Sequence, residues 1–277
     1  MRQITVVALY GDKSSDLAAL FARCQELCRA VLGVGFRPYD SSQIHATIFG
    51  LERKIGSRLE NANFSRYEGR DIAMNLEGIL DYLRCSGHFP LEVQIAGYGM
   101  RDYPFFSRRA CPYERSFTIQ GDKVVVMGWP IRRKPFQKPP RTLPSFVQEA
   151  GLYPLTLDVV RRAAQAYGVL HAYHRAPTDV DNDLFFRIGR LIDQTSLTEK
   201  LRDTLESEVR QFLSRQQPLI LDIRLEEVSI ALYEEDTLSP SSTRVWSLAD
   251  PDLTASTLMK HLSIWKRTSA SSSAALV

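Results

Sequence analysis

The strongest constraint on the fold is the join between an apolar, β-branched run, Ile4 to Tyr10, and the long amphipathic segment that follows it. The run is short and Gly11 closes it, which marks a buried strand. From about Ser15 to Leu32 the residues Leu17, Leu20, Phe21, Cys24, Leu27, Cys28 and Val31 recur at helical spacing, with Ser14 or Ser15 as cap and Gly33 as stop. A helix with one apolar stripe must lay it on another layer, so strand and helix together call for a sheet covered by helices.

The rest of the chain continues the alternation. Strands are expected at Ile44–Leu51, Leu91–Ala96, Ser116–Ile119, Val124–Trp129, Leu184–Leu191, Leu219–Leu225 and Val228–Tyr233, with Gln120-Gly121-Asp122-Lys123 turning a hairpin. Helical periodicity covers Ile72–Leu83 and Leu155–Tyr167, and Ser196 with Glu199 reads as a capping box opening a helix to about Leu213. Residues 131–141, IRRKPFQKPPR, carry three prolines and five basic residues, which suits a linker. The expectation is therefore an α+β protein over residues 1–266, two-lobed, with the lobes meeting near that linker. Residues 267–277 are expected to be a disordered tail.

Composition narrows the partners. A hydrophobic content of 44% and a charged content of 24% exclude wholesale disorder. No apolar run approaches the roughly 18 residues of a membrane span, and MRQITVVALYG is too short in apolar residues for a signal peptide. A cytoplasmic protein, monomeric and without a membrane partner, is expected. The net charge of +3 is no polycation, so any nucleic-acid contact must come from local patches. Cys24 and Cys28 share a helix face and read as buried thiols, and no metal or cofactor is expected.

The chemistry concentrates in Gln43-Ile44-His45-Ala46-Thr47-Ile48-Phe49-Gly50. On a strand His45 and Thr47 share one face, while Ile44, Ala46 and Ile48 take the packed side. An imidazole moves protons at neutral pH, and a neighbouring hydroxyl can donate to a phosphate oxygen. A histidine hydrogen-bonded at a sheet edge is the plainer reading of the tripeptide.

The segment IHATIFGLE resembles the first H-x-[ST]-hydrophobic motif of the 2H phosphoesterases, the family of 2′-5′ RNA ligase-like and 2′,3′-cyclic phosphodiesterase-like proteins. Its place after a strand and a long helix is similar. So is the later order of FPLEVQIAGYG, a hairpin, a linker, a helix, a second motif strand and a final strand pair, over residues 3–248. The resemblance implies pseudo-duplicated antiparallel sheets with flanking helices. It also implies a metal-independent phosphoesterase acting on RNA ends or on 2′-linked or cyclic nucleotides, with His45 as acid or base and Thr47 as phosphate ligand. The second motif would fall at LFFRIGRL, where Phe185 stands in the histidine place and Arg187 in the Ser/Thr place. A phosphoesterase would then need His171 or His174 to fill the half-site, or Arg187 to hold the phosphate. The plain alternatives are a solvated helix end for the two histidines and a surface salt bridge for Arg187. Without a second proton-transfer group, the same fold would serve as a non-catalytic RNA- or nucleotide-binding protein or as a protein-interaction scaffold.

Two further segments bear charge. Arginines alternate with aromatics from Arg101 to Arg115, which fits either single-stranded RNA binding or a loop that packs its rings inward. Arg108 and Arg109, with Arg132, Arg133 and Lys134 of the linker, are the candidate phosphate contacts. Glu226, Glu227, Glu234, Glu235 and Asp236 read as a solvated edge that discourages strand pairing. No P-loop, dinucleotide fingerprint or nucleophile elbow is present in the sequence.

Overall fold

The computed structural model describes residues 3–53, 59–132, 151–195 and 197–262. Ten strands form one sheet: β1 (Gln3–Ala8), β2 (Phe36–Pro38), β3 (Ala46–Gly50), β4 (Leu91–Ile95), β5 (Phe117–Gln120), β6 (Lys123–Pro130), β7 (Leu184–Leu191), β8 (Leu219–Ile223), β9 (Val228–Tyr233) and β10 (Thr243–Ser247). Their order is β10-β9-β1-β3-β7-β6-β4-β8, with β2 added to β7 and β5 to β6, and every pairing is antiparallel. The longer helices are α1 (Ser15–Leu32), α2 (Leu76–Cys85), α3 (Thr156–Ala163) and α4 (Glu199–Arg215).

The α+β class follows the sequence, and the strands form one continuous sheet where two were expected. Residues 133–141 of the expected linker, and the expected tail at 267–277, lie outside the described residues. Among the described residues no helix is long and apolar enough to cross a membrane.

Local chemistry sets the helix ends. Ser14 Oγ accepts from the Leu17 amide at 3.4 Å, and Asn75 Oδ1 accepts from Gly78 at 2.9 Å, so α2 begins four residues later than Ile72 suggested. Thr198 Oγ1 accepts from Leu201 at 3.2 Å and caps α4; Ser196 lies outside the described residues.

All four helices pack on one face of the sheet. Leu17, Phe21 and Cys24 of α1, Ile79 and Leu83 of α2, Leu157 and Val160 of α3 and Leu205 and Val209 of α4 share a core with Val6, Ala46, Ile48, Val126, Phe186 and Ile230. Each such fully buried leucine, valine or phenylalanine contributes roughly 1.5–3 kcal/mol. The opposite face holds two smaller clusters, one around Trp129 and one around Val7, with a polar strip between them.

The sheet has a seam. β3 and β7 share a single bridged pair, Ala46 with Phe186. Beyond it the buried guanidinium of Arg161, from α3, stands in for the ladder. It donates to Ile48 O (2.7 Å) and Thr47 O (3.2 Å) on one side and to Asp181 O and Asp183 O (both 2.9 Å) on the other. Four carbonyls at the seam thus find one cation.

Candidate functional site

Alternation along the strands decides which side chains face away from the helices. Ala46, Ile48, Phe186 and Val126 lie in the core, so His45, Thr47, Phe185, Arg187, Val125 and Met127 point to the opposite face. The antiparallel pairing of Ala46 with Phe186 sets His45 beside Arg187 and Thr47 beside Phe185. The structure therefore brings together three of the four motif positions as polar groups, and leaves an apolar ring at the fourth.

His45 is buried, 8% exposed, immediately before β3. Its Nδ1 lies 2.8 Å from Gln43 O. A carbonyl only accepts, so Nδ1 carries the proton and Nε2 is left as an acceptor. Burial pushes the imidazole down to about 4 against the bond to Gln43, and the charges of Lys13 and Arg187 add to the shift. At neutral pH the ring is uncharged. Tyr10 packs against it with ring centroids 5.8 Å apart. Lys13 donates from Nζ to Leu9 O (2.9 Å) and Gly11 O (2.7 Å), and burial lowers it to about 8.

Arg187 is 6% exposed, so it is no surface salt bridge. Its Nη2 donates to Asp122 Oδ2 at 2.8 Å and its Nη1 to Asp236 Oδ2 at 3.1 Å, while its guanidinium carbon sits 5.4 Å from the Tyr39 ring. Two donors at this spot are buried without a partner, Arg187 Nε and the Tyr39 hydroxyl. Such groups cost about 1–3 kcal/mol each when left unmet, and each one calls for an explanation. Burial pushes Tyr39 up to about 12, which keeps it a donor.

The connection from β9 to β10 folds over this place. Gln43 Nε2 donates to Thr237 O at 2.6 Å, Tyr10 Oη donates to Leu238 O at 2.9 Å, and Leu238 packs on Val7 and Ala231. Asp236 is exposed, as expected of the acidic cluster, and also pairs with Arg187. Glu226, Glu227, Glu234 and Glu235 are exposed as expected. Beside the loop opens a cavity of about 300 Å³ lined by Arg37, Tyr39, Gln43, Arg190 and Thr237 among others.

His171 and His174 are corrected on both counts. Both are buried, so neither is a solvated helix end, and both are committed elsewhere. His171 Nε2 meets Asp181 Oδ2 at 2.7 Å and His174 Nε2 meets Asp158 Oδ1 at 2.8 Å. Burial pushes His171 down to about 4 despite its carboxylate. Burial alone would raise Asp181, but Arg161, His171 and Arg108 hold it well below the usual carboxylate range. Asp183 next to it accepts from Ser107 (2.7 Å), Trp129 (2.8 Å) and Arg115 (3.3 Å).

In the arginine–aromatic segment Tyr103 and Phe105 pack inward, while Phe106 is 71% exposed. Tyr98, Tyr103, Phe105, Tyr153, Phe185 and Trp129 form one cluster with edge-to-face contacts such as Tyr98–Trp129 at 4.9 Å and 90°. Arg108 stacks 3.6 Å over Tyr173 and lies 3.7 Å from both Asp181 and Asp183, so it serves the seam. Arg109 and Arg132 are exposed, while Arg133 and Lys134 fall outside the described residues. Among the described residues no three His, Cys, Asp or Glu side chains converge as metal ligands.

Sequence reasoning missed Tyr10, Lys13, Tyr39, Asp122 and Asp236. The sequence did flag Asp122 as a turn residue and Asp236 as an acidic one, but their meeting at Arg187 needs the strand register. Chemically, the group offers one neutral imidazole acceptor on the strand beside one guanidinium, with one phenol donor next to that guanidinium. No protein-family model matches the chain, and no curated protein matches it either.

Proposed function

We propose that the protein recognises a phosphate ester of the kind found at RNA ends or in 2′-linked and cyclic nucleotides, through the pair His45 and Arg187. The observation that carries this reading is the pair of unmet donors, Arg187 Nε and Tyr39 Oη, beside an imidazole whose Nε2 is an acceptor. A phosphate oxygen satisfies the donors, and a ribose hydroxyl suits the acceptor. Thr47 adds a hydroxyl on the same face. Recognition without turnover is the first reading because Phe185 moves no proton and His171 and His174 are bound to carboxylates. The likeness to 2H phosphoesterases supplies the ligand class. It would also imply two duplicated lobes.

One observation favours a second reading, in which the site also turns its ligand over. Lys13, lowered by burial to about 8 and close enough to shift His45, is a second group near that imidazole able to move a proton.

Calorimetric titration of a dinucleotide ending in a 2′,3′-cyclic phosphate, run with a metal-free hydrolysis assay, tests both. Binding to the wild type that weakens at least tenfold in His45→Ala supports recognition. Hydrolysis lost in both His45→Ala and Lys13→Met establishes turnover. No binding to the wild type sinks both readings.

A further inference from the structure

A β-bulge on β7 changes which residues share its outer face. Val125 pairs with Arg187, but Val124 pairs with Gly189, so Ile188 is the extra residue. Past the bulge Leu191 and Phe36 turn to the core, and Arg190 returns to the same face as Arg187. In a regular strand a residue three places on would face the other way.

The pairing then makes a row. Arg37 of β2 lies opposite Arg190, and Lys123 of β6 lies opposite Arg190 on its other side. Three cations stand side by side on three adjacent strands, spaced by about 4.8 Å. Like charges directly opposite each other weaken a sheet. Among the described residues no ion pair relieves any of the three, and Arg37 and Lys123 are exposed. Arg37 and Arg190 line the 300 Å³ cavity that Tyr39 and Gln43 also line. Asp40 and Glu235 line the same cavity and Lys123 does not, so an anion there meets Arg37 and Arg190, with Lys123 facing Arg190 from the adjacent strand. Tyr39 links the two places: it stacks on Arg187 and feels the charge of Arg190.

We infer that Arg37, Arg190 and Lys123 form a second phosphate subsite, so that the ligand carries a further phosphate one nucleoside away from the one at Arg187. Arg187 and Arg190 lie opposite Val125 and Lys123, two residues apart on β6, so the bulge sets them about 7 Å apart along the sheet, close to the spacing of neighbouring phosphates in one strand. The subsite selects an oligonucleotide over a lone cyclic mononucleotide. It rests on the reading of the His45–Arg187 pocket given above and adds a length requirement to it.

The test compares adenosine 2′,3′-cyclic monophosphate with a dinucleotide bearing the same cyclic end. The proteins are the wild type, the double variant Arg37→Gln/Arg190→Gln, and Arg29→Gln, an exposed charge on α1, as control. The wild type should bind the dinucleotide about tenfold more tightly, and the double variant should lose most of that gain. The slope of log affinity against log salt for the dinucleotide should fall by about 0.7 for the phosphate contact removed. Equal affinity for both ligands, equal weakening of both by the double variant, or an equal loss in Arg29→Gln each overturns the subsite and leaves the His45 pocket standing. Absence of binding by either ligand to the wild type overturns both.

Discussion

The two ends of β7 carry charged side chains on the same face and treat them in opposite ways. At its start, Asp181 and Asp183 are gripped by Arg161, His171, Ser107, Trp129, Arg115 and Arg108, and a single ring nitrogen, Nδ1 of His174, is left over. At its far end, Arg187 keeps an unmet Nε beside an unmet phenol, and Arg190 faces two other cations across the strands. A polar network that closes on itself holds the fold. One that keeps buried donors unmet still calls for a partner.

The comparison breaks most readily at Arg161. Replacing it by Met orphans four carbonyls and removes one of the cations facing Asp181, and should cost about 3–5 kcal/mol in urea unfolding. A loss under about 1 kcal/mol would mean that the closed network is not what holds β3 to β7.

Acid should sharpen it. His45 and His171 are both pushed down to about 4 by burial, one without a carboxylate and one with. The unfolded chain takes up a proton near pH 6.5 that the folded ring refuses until about pH 4. Stability therefore falls as pH drops through that window, and neither ring contributes above it. Stability measured at pH 7 and pH 4.5 should drop about 2 kcal/mol less in His45→Asn than in the wild type. Equal drops would show that His45 is not buried as a neutral ring.

The smallest effect on stability belongs to Arg187→Gln. Asp122 and Asp236, with side chains 31% and 70% exposed, return to water when their partner leaves. Unfolding should shift by less than about 1 kcal/mol, while affinity for the cyclic-ended dinucleotide drops at least tenfold. A large stability loss with unchanged affinity would place Arg187 with the structural network instead.

Local signals made much of the fold legible. The stripe from Leu17 to Val31 needs only helical periodicity, and Leu184–Leu191 was bounded correctly because a buried strand reads as an apolar run. β2 and β10 were missed: Phe36–Pro38 is three residues ending in proline, and Thr243–Ser247 is a half-exposed edge with no clear alternation. At the site, the face shared by His45 and Thr47 was legible, because period two is a property of one strand. The partners of Arg187 were not, since Asp122 and Asp236 lie 65 and 49 residues away and reach it only through pairing and a folded-over loop. The bulge at Ile188 was equally silent, and with it the return of Arg190 to the outer face.

The strand order also bears on how the chain comes off the ribosome. β4 to β8 come from one contiguous stretch, Leu91 to Ile223, and can pair among themselves as soon as it has emerged. β1 and β3 are made first, yet β1 waits for β9 before its outer edge is covered. Until Val228–Tyr233 is translated, the nascent chain exposes an unpaired strand edge, which invites chaperone capture or mispairing. The residue that faces Arg187 from the folded-over loop, Asp236, follows only after that. The pocket around His45 is thus among the last parts of the protein to be built, although its histidine is among the first residues to be made.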